Sequence, residues 1–181
     1  MIREGIKLTQ IERLLLYNQY LILEALYPDE AKGFQEKREI IECGYESHYN
    51  DLNLGIIEAP VSVEVSGEVM DILDMYAFLK SSYSKLDNPR DINEKQIEFD
   101  GFDGNNESDR LAYARFLILT QGRWKELRDG RPGFDFNSHY QTIDIYRRML
   151  KAWFDLGKKP VLSIDEMKQI LDERIHPDSR S

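Results

Sequence analysis

Cysteine is almost missing from this chain: Cys43 is the only one in 181 residues. A single thiol excludes an internal disulfide and a cysteine-based zinc site within one chain. Cys43 falls at the end of a predicted helix, just before Gly44. It reads there as a small buried hydrophobe, because no histidine is spaced to act as its catalytic base. Histidine is scarce too, with only His48, His139 and His176. The paired Glu-x-x-His motifs of a di-iron bundle and the His-Glu-x-x-His helix are both absent, so no metal site is expected. Phosphate-binding glycine patterns, Gly-x-Ser-x-Gly and the dinucleotide fingerprint are missing as well, and no cofactor is indicated. No stretch approaches the roughly 20 apolar residues of a membrane helix, and Met1–Gly5 has no apolar signal core. The expectation is a cytoplasmic protein without a membrane span.

What the chain does have is charge of both signs, unevenly placed. The net charge of −9 disfavours bulk binding to nucleic acid or anionic lipid. Residues 1–109 carry 10 basic and 23 acidic side chains, whereas residues 110–160 carry 11 basic and 5 acidic. Such a division either attracts an anionic ligand or another copy's acidic half, or is neutralised inside the fold. The size and a hydrophobic content of 41% suit one globular domain with a real core.

Periodicity predicts helices throughout. Thr9-Gln10-Ile11-Glu12 is a capping box, and Ile11, Leu14, Leu15, Ile22, Ala25 and Leu26 then form a stripe that places the first helix centrally. Asn18-Gln19-Tyr20 interrupts it, either at a helix edge or as a buried polar group that fixes subunit register. Pro28 ends this helix and Asp29 caps a second that runs to Cys43, stopped by Gly44. A short helical segment is expected within 45–54. Val61 to Val65 alternates like a strand, yet a long helix from Ser66, starting as early as Ser62 and running to about Leu86, is favoured. Residues 87–91 break the chain, and Ile92 to Phe99 reads as a short extended segment. A helix capped by Asn105 or Asn106 covers 110–121, another covers 138–156, and the capping box Ser163–Glu166 opens the last, to about Ile175. His176-Pro177 stops it. The whole is an all-α bundle of about six or seven helices over 9–176, between short tails at 1–8 and 177–181.

The densest stretch is Phe99 to Tyr140, which holds Gly-Phe-Asp twice, at Gly101–Asp103 and Gly133–Asp135. Asp103, Asn105, Glu107 and Asp109 alternate like a calcium loop, but the glycine and glutamate such a loop requires are replaced by Ser108 and Ala114. A turn entering a helix cap fits better. Arginines interleaved with Trp124 and Trp153 suit an anionic metabolite or single-stranded nucleic acid, or simply a solvated face. Asp144 and Arg148, four apart, are placed to pair.

As an ordered set these residues resemble the YfbU family of bacterial cytosolic proteins. The resemblance rests on Glu12-Arg13-Leu14, Asn18-Gln19-Tyr20, Ile40 to Tyr45, Asp71 to Tyr76, Gly101-Phe102-Asp103, Tyr113 to Phe116, Gly122-Arg123-Trp124, Tyr146 to Leu150, Trp153 and Leu162-Ser163. It covers about Leu8 to Leu171 and implies a compact, mostly helical, oligomeric protein without an assigned activity. Some relatives carry a DNA-binding segment ahead of the domain, for which the residues before Thr9 leave no room. The chain departs from the pattern at 55–65 and 134–141. The reading is therefore a homo-oligomeric, non-enzymatic ligand-binding or protein-interaction module, with a regulatory role by analogy. Asp103, Arg115, Arg123 and Trp124 are the candidate anchors for an anionic small molecule, and a carboxylate-dependent hydrolase is the alternative. Nucleic acid is disfavoured as a partner.

Overall fold

Local capping chemistry starts the fold. Thr9 takes an extended backbone, its hydroxyl accepts from the Glu12 amide and the Glu12 side chain returns to the Thr9 amide, so α1 runs Gln10–Leu26. The structure is a computed structural model that describes residues 6–52, 60–86, 92–128 and 130–175. It forms two compact units, Met1–Ala59 and Pro60–Ser181, and the domain expected over 9–176 spans both. Among the described residues the fold is all-α, with six α-helices, short 3-10 turns, one π turn and no strand.

In the first unit Pro28 opens a 3-10 turn, Pro28–Glu30, before α2, Ala31–Cys43, so Asp29 makes no side-chain cap. Gly44 closes α2 in the left-handed region at φ 69°. Glu46–Leu52 adds a 3-10 segment, as the sequence suggests. The core here is small: Tyr20, Ile41, Tyr49 and Leu52. The Tyr20 hydroxyl donates to Leu52 O at 3.3 Å, while Asn18 and Gln19 face out. Cys43 is exposed rather than buried, because the last turn of α2 carries it away from this core.

The apolar stripe of α1, expected to place that helix centrally, is largely exposed. In the second unit α3, Val63–Tyr83, buries Val69, Ile72, Leu73, Met75, Tyr76, Ala77 and Leu79. Ser62 caps it by accepting from the Val65 amide at 3.2 Å, so Val63 and Val65 of the strand-like alternation lie in the first turn of a helix. Glu94–Ile97 is a 3-10 turn capped by Asn93, not an extended segment. The helix after Gly-Phe-Asp is α4, Ser108–Arg115, continued by a π turn, Phe116–Thr120. α5 is Ile143–Asp155 and α6 is Ile164–Asp172, the latter opened by the Ser163–Glu166 capping box. α5 presents Tyr146, Met149, Leu150 and Trp153 to the core, and α6 adds Met167, Ile170 and Leu171. The breaks expected at 87–91 and at His176-Pro177, with the tail beyond, lie outside the described residues. No helix among those described is long and apolar enough to cross a membrane.

Part of the uneven charge is paired within this unit. Glu68 receives Arg110 at 2.8 Å and Arg147 at 2.7 Å, Asp100 receives Arg174 at 2.6 Å, and Asp71 receives Lys158 at 2.8 Å. Burial alone would raise the Glu68 carboxyl, but Arg147 and Arg110 hold it below its ordinary value. Arg148 does not pair with the Asp144 carboxylate; it donates to the Asp144, Glu173 and Arg174 carbonyls instead.

One close approach determines how the loops meet. Gly101 sits at φ +90°, and a Cβ there would lie 1.9 Å from the Phe136 carbonyl oxygen. Gly101→Ala is expected to cost about 3 kcal/mol or more in urea unfolding, through both backbone strain and collision. An unchanged unfolding midpoint would contradict this packing.

Candidate functional site

The first Gly-Phe-Asp copy meets the chain just beyond the second. The Phe102 amide donates to Phe136 O at 2.9 Å and the Ser138 amide to Phe102 O at 3.1 Å, giving an isolated parallel bridge between Phe102 and Asn137. Phe102 is fully buried against Phe99 and Tyr146, with ring centroids 5.6 Å apart in each pair. Phe134 of the second copy stacks edge-on to Phe136 at 4.8 Å and lies beneath the Arg131 guanidinium at 3.8 Å. The repeat is thus two turns sharing one aromatic core, each supplying its phenylalanine to the interior or its rim.

A carboxylate lies beneath this junction. Glu107 is 3% exposed, and it accepts from the backbone amides of Asp103 at 2.9 Å, Thr142 at 2.8 Å and Ile143 at 2.8 Å. The Thr142 hydroxyl stands 2.9 Å from both Glu107 Oε2 and Gly101 O, with one proton for the two. In return the Glu107 amide donates to Asp103 O at 2.7 Å. Glu107 therefore caps α5 from a distant part of the chain and ties it to the first Gly-Phe-Asp turn. Neither Asn105 nor Asn106 caps α4; both serve Asp103. The Asn105 amide donates to Asp103 Oδ1 at 3.1 Å and the Asn106 side chain to Oδ2. These bonds, Asn106 first, hold the Asp103 carboxyl below its usual range.

A second polar group faces the same aromatic core. Arg174 reaches the Tyr76 hydroxyl at 2.7 Å and Asp100, which also accepts from the Tyr140 hydroxyl at 2.8 Å. Burial, then Asp100, pushes the Tyr140 hydroxyl up to about 12, and burial raises Tyr76 and Tyr146 as well.

The other sequence candidates have partners of their own. Arg115 donates to Asp135 O at 2.7 Å and to its carboxylate at 2.8 Å, joining α4 to the second Gly-Phe-Asp turn. Trp124 adopts φ +46°, unusual for a bulky residue, and its indole N–H donates to Asp74 on α3 at 2.8 Å. Arg123 is exposed and stacks on the Trp124 ring at 4.0 Å. Arg115 and Asp135 thus belong to loop architecture with Asp103, whereas Arg123 is exposed and stacks on a half-buried Trp124 anchored to α3. Among the described residues no group of three or more His, Cys, Asp or Glu could hold a metal.

Two features escaped the sequence reading. Glu107 stood out in the sequence as one member of the calcium-like alternation; its partner Thr142 lies 35 positions on. The other is the outward face of α1, where Ile11, Leu14, Leu15, Ile22 and Leu26 are 58–72% exposed. A groove of about 610 Å³ runs beside it, lined by Ile11, Arg13, Leu14, Tyr17 and Ile41 among others. The stripe was plain in the sequence, but its direction was not.

These observations define an all-α protein whose irregular loops are joined by buried polar bonds. The YfbU domain matches residues 6–173, and the chain belongs to the YfbU family.

Glu107→Gln tests the buried junction. An amide NH2 in place of either carboxylate oxygen faces backbone donors, so a loss of about 3 kcal/mol is expected by urea unfolding. Wild-type stability in that variant would show that Glu107 does not hold the turn to α5.

Proposed function

We propose that this chain is a non-enzymatic protein-interaction module of the cytoplasm, docking through the apolar face of α1. The observation that carries the reading is that face itself: five large aliphatic side chains, each at least 58% exposed, on one helix. Contiguous apolar surface of this kind on a soluble fold marks a contact site. The hydrolase alternative draws less support, since it needs carboxylates free to face a substrate. Asp100, Asp103, Glu107 and Glu68 all accept in-chain donors.

Because the face is exposed, it should tolerate polar substitution. Leu15→Ser with Ile22→Ser is expected to leave helix content unchanged by circular dichroism in dilute solution, and to lower Tm by only a few degrees, about the scale of surface changes. Collapse of the folded state in that variant would assign the stripe to an interior and end the interaction reading.

A second reading concerns an anionic small molecule at Arg123 and Trp124, with Arg115 and Asp103 holding the loops behind. It is favoured by the exposed guanidinium already flattened on an aromatic face, a geometry suited to phosphate or carboxylate. Thermal-shift measurements across metabolites and nucleotides should then find a ligand that raises Tm in wild type and not in Arg123→Ala. An equal shift in both proteins would exclude this pair as the anchor.

A further inference from the structure

We infer that the exposed face of α1 is the seam of a two-fold dimer, in which α1 packs antiparallel on α1 of a second copy of this chain with Asn18 at the axis. This rests on the interaction reading above and names the partner. The argument is the internal symmetry of the face. At about 100° per residue, Ile11, Leu14, Leu15, Asn18, Ile22 and Ala25 fall on one side of the helix, with Leu21 and Leu26 at its margins, Leu26 being matched across Asn18 by Gln10. Ile11 and Ala25 lie seven residues either side of Asn18, Leu14 and Ile22 four, and Leu15 and Leu21 three. A two-fold axis through Asn18 therefore sets Leu14 against the partner's Ile22 position, Leu15 against Leu21 and Ile11 against Ala25, each contact occurring twice. That is what an isologous interface requires: one patch complementary to itself.

Charge points the same way. The charged residues of α1 are Glu12, Arg13 and Glu24, and each is engaged within its own chain. Glu12 closes the Thr9 cap, Arg13 donates to Ile41 O at 2.8 Å and Glu42 O at 2.7 Å, and Glu24 pairs with Arg38 at 2.7 Å. The outward face therefore presents no unengaged charged side chain of α1, and two α1 helices meet there without like-charge repulsion. Its one polar group, Asn18, is both donor and acceptor, so two copies of it satisfy each other across the axis. Displacing the helices by a turn would set each amide against aliphatic side chains, so the asparagine fixes register at some cost in stability. The groove beside Ile11 and Leu14 lies on the flank that Leu21 of the second copy reaches.

The test is cysteine cross-linking of the full chain in a Cys43→Ser background, with light scattering for mass. Wild type is expected at twice 21.3 kDa, and Ile22→Glu should weaken the dimer by about 100-fold or more. Asn18→Cys should cross-link to itself under mild oxidation. Leu14→Cys alone should not, whereas an equimolar mixture of Leu14→Cys and Ile22→Cys should give the mixed dimer. Self-linking of Leu14→Cys would overturn the antiparallel arrangement. A wild-type mass of 21.3 kDa throughout, with the Leu15→Ser, Ile22→Ser variant folded, would overturn the dimer while leaving the docking face intact. Unfolding of that variant would overturn both.

Discussion

A buried carboxylate governs how the larger unit is assembled. Glu107 follows the first Gly-Phe-Asp turn and precedes α4, yet its oxygens satisfy the first amides of α5. Left alone, those amides would be orphan donors in a dry setting, and the carboxylate an unpaired charge. Each cost is removed by the other. Once they meet, the turn, α4 and α5 are fixed relative to one another, and Gly101 is brought against the Phe136 carbonyl. Only a residue without a Cβ fits there. The aromatic cluster of Tyr76, Phe99, Phe102, Phe136 and Tyr146 then closes over the junction.

That order of dependence explains which parts of the fold were legible in the sequence. Thr9–Glu12 and Ser163–Glu166 were read correctly because a capping box places both partners within one turn. Gly44 was readable for the same reason, since only local backbone geometry is involved. The start of α5 was not. Periodicity extended it back to Ser138, but residues 138–142 turn toward Phe102 and Glu107, and the cap comes from far along the chain. The supposed caps Asn105 and Asn106 failed likewise, because Asp103 competes for them as a local acceptor.

The candidate site was legible in composition and not in arrangement. Clustered arginines and acids in 99–140 suggested a binding surface, and several of them proved to be one another's partners. Arg115 finds Asp135, and Arg131 covers Phe134 while donating to Phe99 O at 2.8 Å. A stretch dense in charge and aromatics can be what irregular loops need to satisfy themselves without regular hydrogen-bond ladders. Arg123 differs: it is exposed, and its guanidinium stacks on the Trp124 ring at 4.0 Å.

Periodicity misled in the opposite sense at α1. A regular apolar stripe states that a helix will bury one face, but not against what. α3 carries apolar residues nearly all round and is enclosed by its own unit. α1 carries a narrower stripe, and α2 supplies only Phe34, Ile40 and Ile41 to meet it, from the side of Tyr20. The remaining aliphatic residues are more numerous than its own small core can use. A helix with two apolar faces, one engaged by its own small core and one exposed, is the sequence pattern on which the proposed docking role rests.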